Sequence, residues 1–313
     1  MRRICGNKSN SPCVFMRKKT RTTAAALQFE SRIALTLSIL ACVGYLRHFM
    51  IDIHCHILPD LDDGSDSMET SLAMAEMAIE DGVTHVIGTP HANSVYAFAP
   101  KLVRERRDEL QAKLGERLTI ATGCDFHLTF ENIEALRADP RRFTLNQKNY
   151  LLIEFGDFSI PPTIDKTLHE LQLLGLHLII THPERNPLIR SQWELLWNWM
   201  RQGCLVQVTA QSITGGFGSR AQAAAEKLLD ANAIHFIASD AHNLTTRPLR
   251  LKAAFEAVAE KKSAEVARAL FESNPRAALG GQPTPYLPQP APLKGAPGEG
   301  KPRKRFWFFQ RRV

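Results

Sequence analysis

The chain has 313 residues, 44% of them hydrophobic, so it can bury one large core or two ordinary ones. Its net charge of +7 is unevenly placed: residues 1–49 carry +8 and residues 281–313 carry +6, which leaves −7 on residues 50–280. An acidic centre argues against nucleic acid as its partner, because a polyanion groove needs clustered basic residues. Six scattered cysteines without a CxxC pair exclude a disulfide scaffold and favour a cytoplasmic location.

The two ends differ from the centre in composition. Residues 33–46 are an apolar run preceded by basic residues, and the run is short for a membrane span. We predict that Met50 is the natural start and that residues 1–49 are an artefactual extension, with a weak membrane association as the alternative. Residues 281–313 are rich in Pro and end in RKRFWFFQRRV, so we predict a disordered basic tail with at most weak membrane contact.

Between residues 50 and 280, short runs rich in Ile, Leu and Val alternate with amphipathic patterns. Such runs are typical of parallel strands covered on both faces. The predicted strands are 50–54, 84–89, 118–123, 150–155, 177–181, 204–209 and 234–239. The predicted helices are one in SMETSLAMAEMAIEDG that stops at Gly82, and others over 101–115, 163–174, 190–202, 219–232 and 247–272, the last broken near Lys262. Seven βα units favour an α/β fold with a closed TIM-like barrel; a doubly wound open sheet is the alternative.

Polar residues follow six of the seven predicted strands. They are His54, His56, His91, Asp125, Glu154, His182, Asp240 and His242. Because the carboxyl ends of barrel strands converge on one mouth, we expect these side chains to lie together. Mixed imidazole and carboxylate ligands suit Mn²⁺, Fe²⁺ or Zn²⁺, and carboxylates can bridge two ions, as two-metal phosphoesterase sites need.

The other histidines lack this placement and are predicted to be structural or solvated: His48, His85, His127, His169, His177 and His235. Cys55 lies between two predicted ligands, but strand alternation should point it to the opposite face, so we predict that it packs in the core. No cysteine has Arg six positions later, which excludes a phosphatase with a cysteine nucleophile.

The motifs MIDIHCHILPDLDDG, GTPH, GCD, IEF, HPER and SDAHN occur in this order over about residues 50–280. They resemble the polymerase-and-histidinol-phosphatase (PHP) superfamily and, more narrowly, the metal-dependent protein-tyrosine phosphatases of capsular and exopolysaccharide operons. The resemblance implies a distorted TIM-like (β/α)7 barrel, the PHP fold, holding three divalent ions. It implies that these ions are Mn²⁺, with Fe²⁺ or Zn²⁺ as the alternatives.

The resemblance also implies a ligand set, carried over by position. The three ion sites would be His54, His56, Asp125 and Asp240; Asp125, Glu154 and His182; and Asp63, His91 and His242. Asp62 is the alternative to Asp63 as a ligand of the third ion. Arg185 and Arg247 match the arginines of the family that contact phosphate. The bridging ligand, Asp125, stands where the family more usually has Glu, so the ion spacing or the backbone must adjust.

The activity that the resemblance implies is hydrolysis of phosphotyrosine, by water activated between two ions and without a covalent intermediate. The implied partner is an autophosphorylating tyrosine kinase that controls polysaccharide export. The alternatives are a small-molecule phosphatase of the histidinol-phosphate type, another phosphoesterase such as a nuclease, and a non-catalytic scaffold. The sequence is also compatible with a homo-oligomer.

Overall fold

A computed structural model describes residues 49–291 of the chain. Within this range the backbone forms nine strands, and every paired strand is parallel to its neighbour. The strands are β1 (Met50–Cys55), β2 (Val83–Gly88), β3 (His91–Ala92), β4 (Thr119–Thr122), β5 (Asp125–His127), β6 (Tyr150–Glu154), β7 (His177–Thr181), β8 (Leu205–Thr209) and β9 (Phe236–Ala238).

Helices connect the strands. In chain order they are α1 (Met68–Asp81), α2 (Pro100–Leu114), α3 (Phe130–Ala138), α4 (Ile164–Leu173), α5 (Pro187–Ser191), α6 (Trp193–Arg201), α7 (Ala210–Ile213), α8 (Gly218–Asp230), α9 (Lys252–Lys261), α10 (Ala264–Arg268) and α11 (Asn274–Gly280), with a 3₁₀ turn at Leu145–Gln147 and a π-helical turn at Ala269–Ser273. Local chemistry sets the bounds of α1, because the Ser67 hydroxyl accepts a hydrogen bond from the Thr70 amide and Gly82 ends the helix with a φ of 90°.

The strands follow one another around a distorted barrel. One sheet has the order β1-β2-β4 and the other has the order β3-β5-β6-β7-β8-β9. The chain runs from β2 into β3 and from β4 into β5, so it passes from the first sheet into the second at two places. The last strand meets the first through a parallel bridge between Cys55 and Ala241, where the His56 amide donates to the Ala241 carbonyl at 2.9 Å. The prediction of a TIM-like α/β barrel is confirmed.

The distortion lies between β4 and β6, which are not paired with each other. The 3₁₀ turn occupies this side, and its Leu145 side chain is fully buried in the same apolar cluster as Ala121 of β4. A side chain at Gly123 would approach Leu145 to 2.7 Å, so the close packing requires glycine there.

Two apolar layers cover the strands. The smaller layer fills the interior of the barrel, because its residues come from strands on all sides. They include Ile51, Ile53, Leu152, Ile179 and Phe236. The larger one joins the outward faces of the strands to the helices. Strands buried on both faces account for the nearly continuous apolar runs in the sequence.

The first strand does not alternate regularly along its length. Ile51 and Ile53 face the interior, and regular alternation would point His54 away from it. The pairing of β1 with β2 shifts in register between Asp52 and Cys55, which is the mark of a β-bulge. His54 consequently lies with the mouth residues, whereas Cys55 joins the helix-facing layer, as predicted.

All seven predicted strands are present, with ends that differ by no more than two residues. The sequence interpretation missed β3 and β5, which have two and three residues and are too short to show a period. It also missed α3, α7 and α11, and it predicted one helix over 190–202 where Gln192 separates two.

The prediction for residues 1–49 lies outside the described residues except for Phe49. The predicted tail overlaps the described range at residues 281–291, where the Tyr286 amide donates to Asn274 and the Ala291 amide donates to Ala231. Its disorder beyond residue 291 stays a prediction. Within residues 49–291, no helix has the length and apolar character that a membrane crossing requires.

The buried His235 makes folding sensitive to acid. Its Nδ1 accepts a hydrogen bond from the Val206 amide at 3.1 Å, and burial lowers the pKa of His235 to about 4. Since the unfolded chain takes up this proton near the ordinary value of 6.5, stability falls as the pH drops from that value toward 4, by roughly 1 kcal/mol per pH unit.

We expect His235→Gln to flatten the pH dependence of the free energy of unfolding over this window, measured by urea denaturation at several pH values. The exposed His169 offers the control, and His169→Gln should keep the wild-type slope. If the free energy of unfolding had the same pH dependence in His235→Gln and in wild type, the attribution of this dependence to His235 would be contradicted.

Candidate metal centre

The predicted ligands meet at the carboxyl ends of the strands. Four overlapping groups of side chains place their ligand atoms within 4.8 Å of one another. The groups are His54, His56 and Asp125; His54, His182 and Asp240; His56, Asp63, His91 and His242; and His91, Asp125, His127 and Glu154. Every one of the nine predicted ligands belongs to at least one group.

Two histidines at the end of β1 are held by their Nδ1 atoms and present their Nε2 atoms to the centre. His54 Nδ1 lies 3.0 Å from Gln207 Oε1, and His56 Nδ1 lies 2.6 Å from Asp62 Oδ2. The two Nε2 atoms are 3.3 Å apart, and each is 3.4 Å from Asp240 Oδ1. When neutral, both rings direct lone pairs toward the same space, which is the arrangement that outer carboxylate and amide partners give to metal-binding histidines.

The neighbouring acids Asp62 and Asp63 have different surroundings. Asp62 accepts hydrogen bonds from His56 and from the amides of His91 and Gly64, so its oxygens are already used. Asp63 Oδ1 instead lies 3.3 Å from His91 Nε2 and 3.5 Å from His242 Nε2. The geometry favours Asp63 as the ligand and Asp62 as the residue that orients His56 and the loop.

Asp125, Glu154 and two histidines form the opposite side of the cluster. Asp125 Oδ2 lies 3.5 Å from His54 Nε2 and 3.2 Å from His91 Nδ1, as a bridging carboxylate would. His182 Nε2 is 3.4 Å from Glu154 Oε1, and the other Glu154 oxygen contacts His127 Nε2. His127, which was predicted to be structural or solvated, thus lies beside a predicted ligand, because period-two alternation on β5 puts it on the face of Asp125.

Unusual backbone angles bring two of these residues into the mouth. His182 has a φ of 31° and Asp240 has a φ of 51°, both in the left-handed region. Residues other than glycine are rare there and persist only where the surrounding structure holds them. Such angles concentrate at functional sites, and here they occur at two predicted ligands.

Both predicted phosphate-contacting arginines point at one carboxylate. Arg185 and Arg247 each contact Asp240 Oδ2, the latter at 2.6 Å. The half-buried ring of Phe217 lies against both guanidinium groups, with centroid distances of 4.3 Å to Arg185 and 5.9 Å to Arg247. The sequence interpretation missed Phe217, since nothing in TGGFG indicates a contact with residues 30 positions away.

Asp240 keeps its negative charge despite burial, whereas burial and the nearby charge of Asp125 raise the pKa of Glu154. Burial raises the pKa of Asp240, but His54 and Arg185 outweigh it and hold that pKa well below its ordinary value. Burial likewise lowers the pKa of His54, yet Asp125 and Asp240 raise it to about 9. For His242, burial followed by the charge of His56 outweighs the nearby Asp63 and Asp240 and lowers the pKa to about 4. The centre is thus a set of anionic oxygens beside imidazoles, which is the donor set of a divalent-cation site.

Several atoms that could bind a metal make no hydrogen bond within the protein. Whether such atoms are left over tests whether the residues fit a metal, because a bound cation would satisfy them. Among the described residues, buried atoms that lie near an ion-pair partner but make no hydrogen bond of regular geometry include Asp125 Oδ2, Glu154 Oε2, His91 Nδ1 and His242 Nε2, and Asp125 Oδ1 also has no hydrogen-bond partner. Unsatisfied buried polar atoms are costly and uncommon in folded proteins. Their concentration around one small space, together with their chemistry, fits bound divalent cations.

Two supporting residues also escaped the sequence interpretation. Gln207 is a buried amide in β8, and a polar residue in the apolar run LVQVT was the available signal. Glu184 in HPER is fully buried and accepts hydrogen bonds from the Thr209 amide and the Ser212 hydroxyl. It fixes the loop after β7, which carries His182 and Arg185.

A parallel barrel with imidazoles, carboxylates and two arginines at its mouth defines a class of barrel hydrolases. The sequence profile of the capsular polysaccharide synthesis CpsB/CapC family matches residues 50–280. Tyrosine-protein phosphatase YwqE of Bacillus subtilis is 36% identical over 264 residues, which cover 83% of this chain and all of YwqE. Tyrosine-protein phosphatase CpsB of Streptococcus pneumoniae is 30% identical and covers 72% of this chain and 97% of CpsB.

A solved structure agrees with these similarities. It comes from the crystal structures of YwqE from Bacillus subtilis and CpsB from Streptococcus pneumoniae, described as unique metal-dependent tyrosine phosphatases. It superposes with a TM-score of 0.73 at 37% identity and covers 78% of this chain and all of the solved chain. The chain belongs to the CpsB/CapC family of capsular polysaccharide synthesis, and the resemblance seen in its motifs is confirmed.

We expect Phe217→Leu to weaken the binding of inorganic phosphate by about fivefold, because cation–π contacts of the ring hold both guanidinium groups in place. The measurement is competitive inhibition by phosphate of the Mn²⁺-loaded protein, with kcat determined in parallel. Phe217→Tyr retains the ring and should retain the affinity. An unchanged phosphate affinity in Phe217→Leu would show that the ring does not position the arginines.

Proposed function

We propose that this protein is a metal-dependent protein-tyrosine phosphatase. The observation that carries the proposal is the convergence of Arg185 and Arg247 on Asp240, within a cluster of imidazoles and carboxylates suited to divalent cations. Guanidinium groups beside metal ligands are suited to bind a phosphate monoester. The relatives YwqE and CpsB, named as tyrosine-protein phosphatases, support phosphotyrosine as the substrate.

The ligand assignment is part of the proposal. Three cations would be held by His54, His56, Asp125 and Asp240; by Asp125, Glu154 and His182; and by Asp63, His91 and His242. Two of the observed groups support this division, since His54, His56 and Asp125 form one and Asp63, His91 and His242 lie in another. The contact of His182 with Glu154 supports the remaining site. His127, beside Glu154, is a further candidate ligand for it.

When bound, divalent cations would supply activation of water and neutralisation of phosphate charge. The side chains of this chain do the rest. Arg185 and Arg247 bind and orient the phosphate oxygens through their paired donors. Asp62 and Gln207 keep His56 and His54 in the tautomer that leaves Nε2 free. The phenol of tyrosine has a pKa of about 10, so tyrosinate is a moderate leaving group, and no side chain is assigned as its acid.

Metal, partner and location extend the same proposal. Mn²⁺ is proposed first, and Fe²⁺ or Zn²⁺ also match a mixed nitrogen and oxygen donor set. The partner is proposed to be a phosphotyrosine protein, specifically an autophosphorylating kinase of polysaccharide export, in line with the family's role in capsular polysaccharide synthesis. The proposed location is the cytoplasm, and the three cysteines in the described range are free thiols.

We expect His54→Ala and Asp240→Asn to lose bound metal and to lower kcat/KM by more than about 100-fold, because each removes a donor that no neighbour replaces. Metal content by elemental analysis and turnover of a phosphotyrosyl peptide measure both effects. Cys55→Ser is the matched control, because this buried thiol lies 3.8 Å from the Ala241 carbonyl, contacts none of the predicted ligands through a hydrogen bond, and has a pKa that burial raises well above the ordinary value. Loss of activity in Cys55→Ser with the metal retained would contradict the proposal.

The substrate class is tested by comparing a phosphotyrosyl peptide, histidinol phosphate and single-stranded DNA with the metal-loaded protein. We expect the peptide to have the highest kcat/KM. Faster turnover of histidinol phosphate would favour the small-molecule phosphatase. Faster cleavage of DNA would favour a nuclease and would also conflict with the net charge of −7 on residues 50–280.

A further inference from the structure

A cavity of about 500 Å³ opens directly from the metal centre. Its inner part is lined by Glu154, His182 and Arg185, which belong to the centre itself. Its outer part is lined by the loop after β3 and the loop after β6, including Val95 and Phe158. A larger cavity, of about 600 Å³, lies at the other end of the barrel around the starts of β7 and β8, and none of the predicted ligands lines it.

The rim of the smaller cavity is apolar and exposed. Phe158 is 98% exposed and Val95 is 76% exposed. Because both side chains are exposed at the mouth of one cavity, a ligand that contacts them there would bury apolar surface and gain free energy. These two side chains follow β3 and β6, which are separated in the sheet only by β5, and both line the same cavity.

Asparagine side chains hold both sides of the rim in place. Asn93 Oδ1 accepts hydrogen bonds from the amides of Val95 and Tyr96, each at 2.8 Å. Asn186 Nδ2 donates to the carbonyls of Phe155 and Gly156, at 3.0 and 3.3 Å. The amide groups that line the cavity are thus occupied by the protein's own loops. The apolar side chains of Phe158 and Val95 line the same cavity as Arg185 and stay available to a ligand.

We propose that this cavity is the subsite for the aromatic ring of the substrate phosphotyrosine, with Phe158 and Val95 as the residues that select it. This inference rests on the proposed function. With the phosphate on Arg185 and the metal ligands, the ring of the same residue extends into the cavity and contacts the rim. Aromatic and aliphatic contacts favour a ring over the short aliphatic stem of phosphoserine, so the subsite discriminates between the two.

The substrate that this cavity binds would distinguish a phosphotyrosine phosphatase from a small-molecule phosphatase. A substrate that carries an amine would instead gain from a carboxylate near the rim, and Asp157 is the residue in that position. Its Oδ1 is 3.5 Å from Asn186 Nδ2, so it is only weakly engaged. Asp157→Asn therefore tests the competing use of the same cavity.

The experiment compares substrates within each variant of the metal-loaded full chain. Phe158→Ser and Val95→Ser should each lower kcat/KM for a phosphotyrosyl peptide by about threefold to tenfold, mainly through KM. Their kcat/KM for glycerol phosphate, and the inhibition constant of inorganic phosphate, should not change. Leu173→Ser is the matched control, since this side chain is 73% exposed at the end of α4, away from the mouth. Leu173→Ser should change kcat/KM for neither the peptide nor glycerol phosphate.

Three outcomes would overturn the subsite. An equal loss for the peptide and for glycerol phosphate would mean that the rim supports the centre and does not bind the ring. No loss for either would mean that the ring lies elsewhere. A loss confined to histidinol phosphate in Asp157→Asn, with the peptide unaffected by Phe158→Ser, would assign the cavity to an amine-bearing substrate. Absence of phosphomonoesterase activity in the metal-loaded wild type would instead refute the proposed function.

Discussion

The carboxylate of Asp52 joins the first strand of the barrel to the last. Its Oδ1 accepts hydrogen bonds from the His54 amide at 3.2 Å and from the Ser239 amide at 3.0 Å. Together with the bridge between Cys55 and Ala241, this fully buried carboxylate lies where the ring of strands meets. Because burial dominates its surroundings, the pKa of Asp52 rises to about 6. A buried acid in this position also holds the irregularity that turns His54 toward the mouth.

That junction positions much of the centre. His54 and His56 follow Asp52 at the end of β1. Asp240 and His242 follow Ser239 in the loop after β9. The Asp240 amide donates to the His54 carbonyl at 2.8 Å, so the two segments that carry these ligands are bonded directly to each other. A rigid connection between strands fixes ligand positions more closely than mobile loops would, as a site with several ligands for each ion requires.

Charge compensation explains how so many ionisable groups can share one mouth. An isolated buried charge is expensive, and a buried pair repays that cost only with good geometry. Here Asp125 and Asp240 lie among imidazoles and Asp240 also contacts two guanidinium groups, so neither carboxylate is left alone. Phe217 covers those guanidinium groups from the other side. The site therefore combines metal-type donors with cationic groups that a phosphate can share.

Residue types and their order along the chain were enough to predict the α/β barrel, its seven strand units and the meeting of eight candidate ligands at one end; the ninth, Asp63, was implied by the family resemblance. This was possible because parallel strands are continuous apolar runs and because their carboxyl ends converge in a barrel. The tertiary structure alone decided which way side chains point and what they touch. The bulge in β1, the different surroundings of Asp62 and Asp63, and the place of His127 beside Glu154 depend on such contacts. Gln207 is 153 positions from the histidine it orients, and Phe217 is 30 or more positions from either arginine. Local periodicity carries no information on contacts between distant segments, and these contacts are made only when the ring of strands comes together.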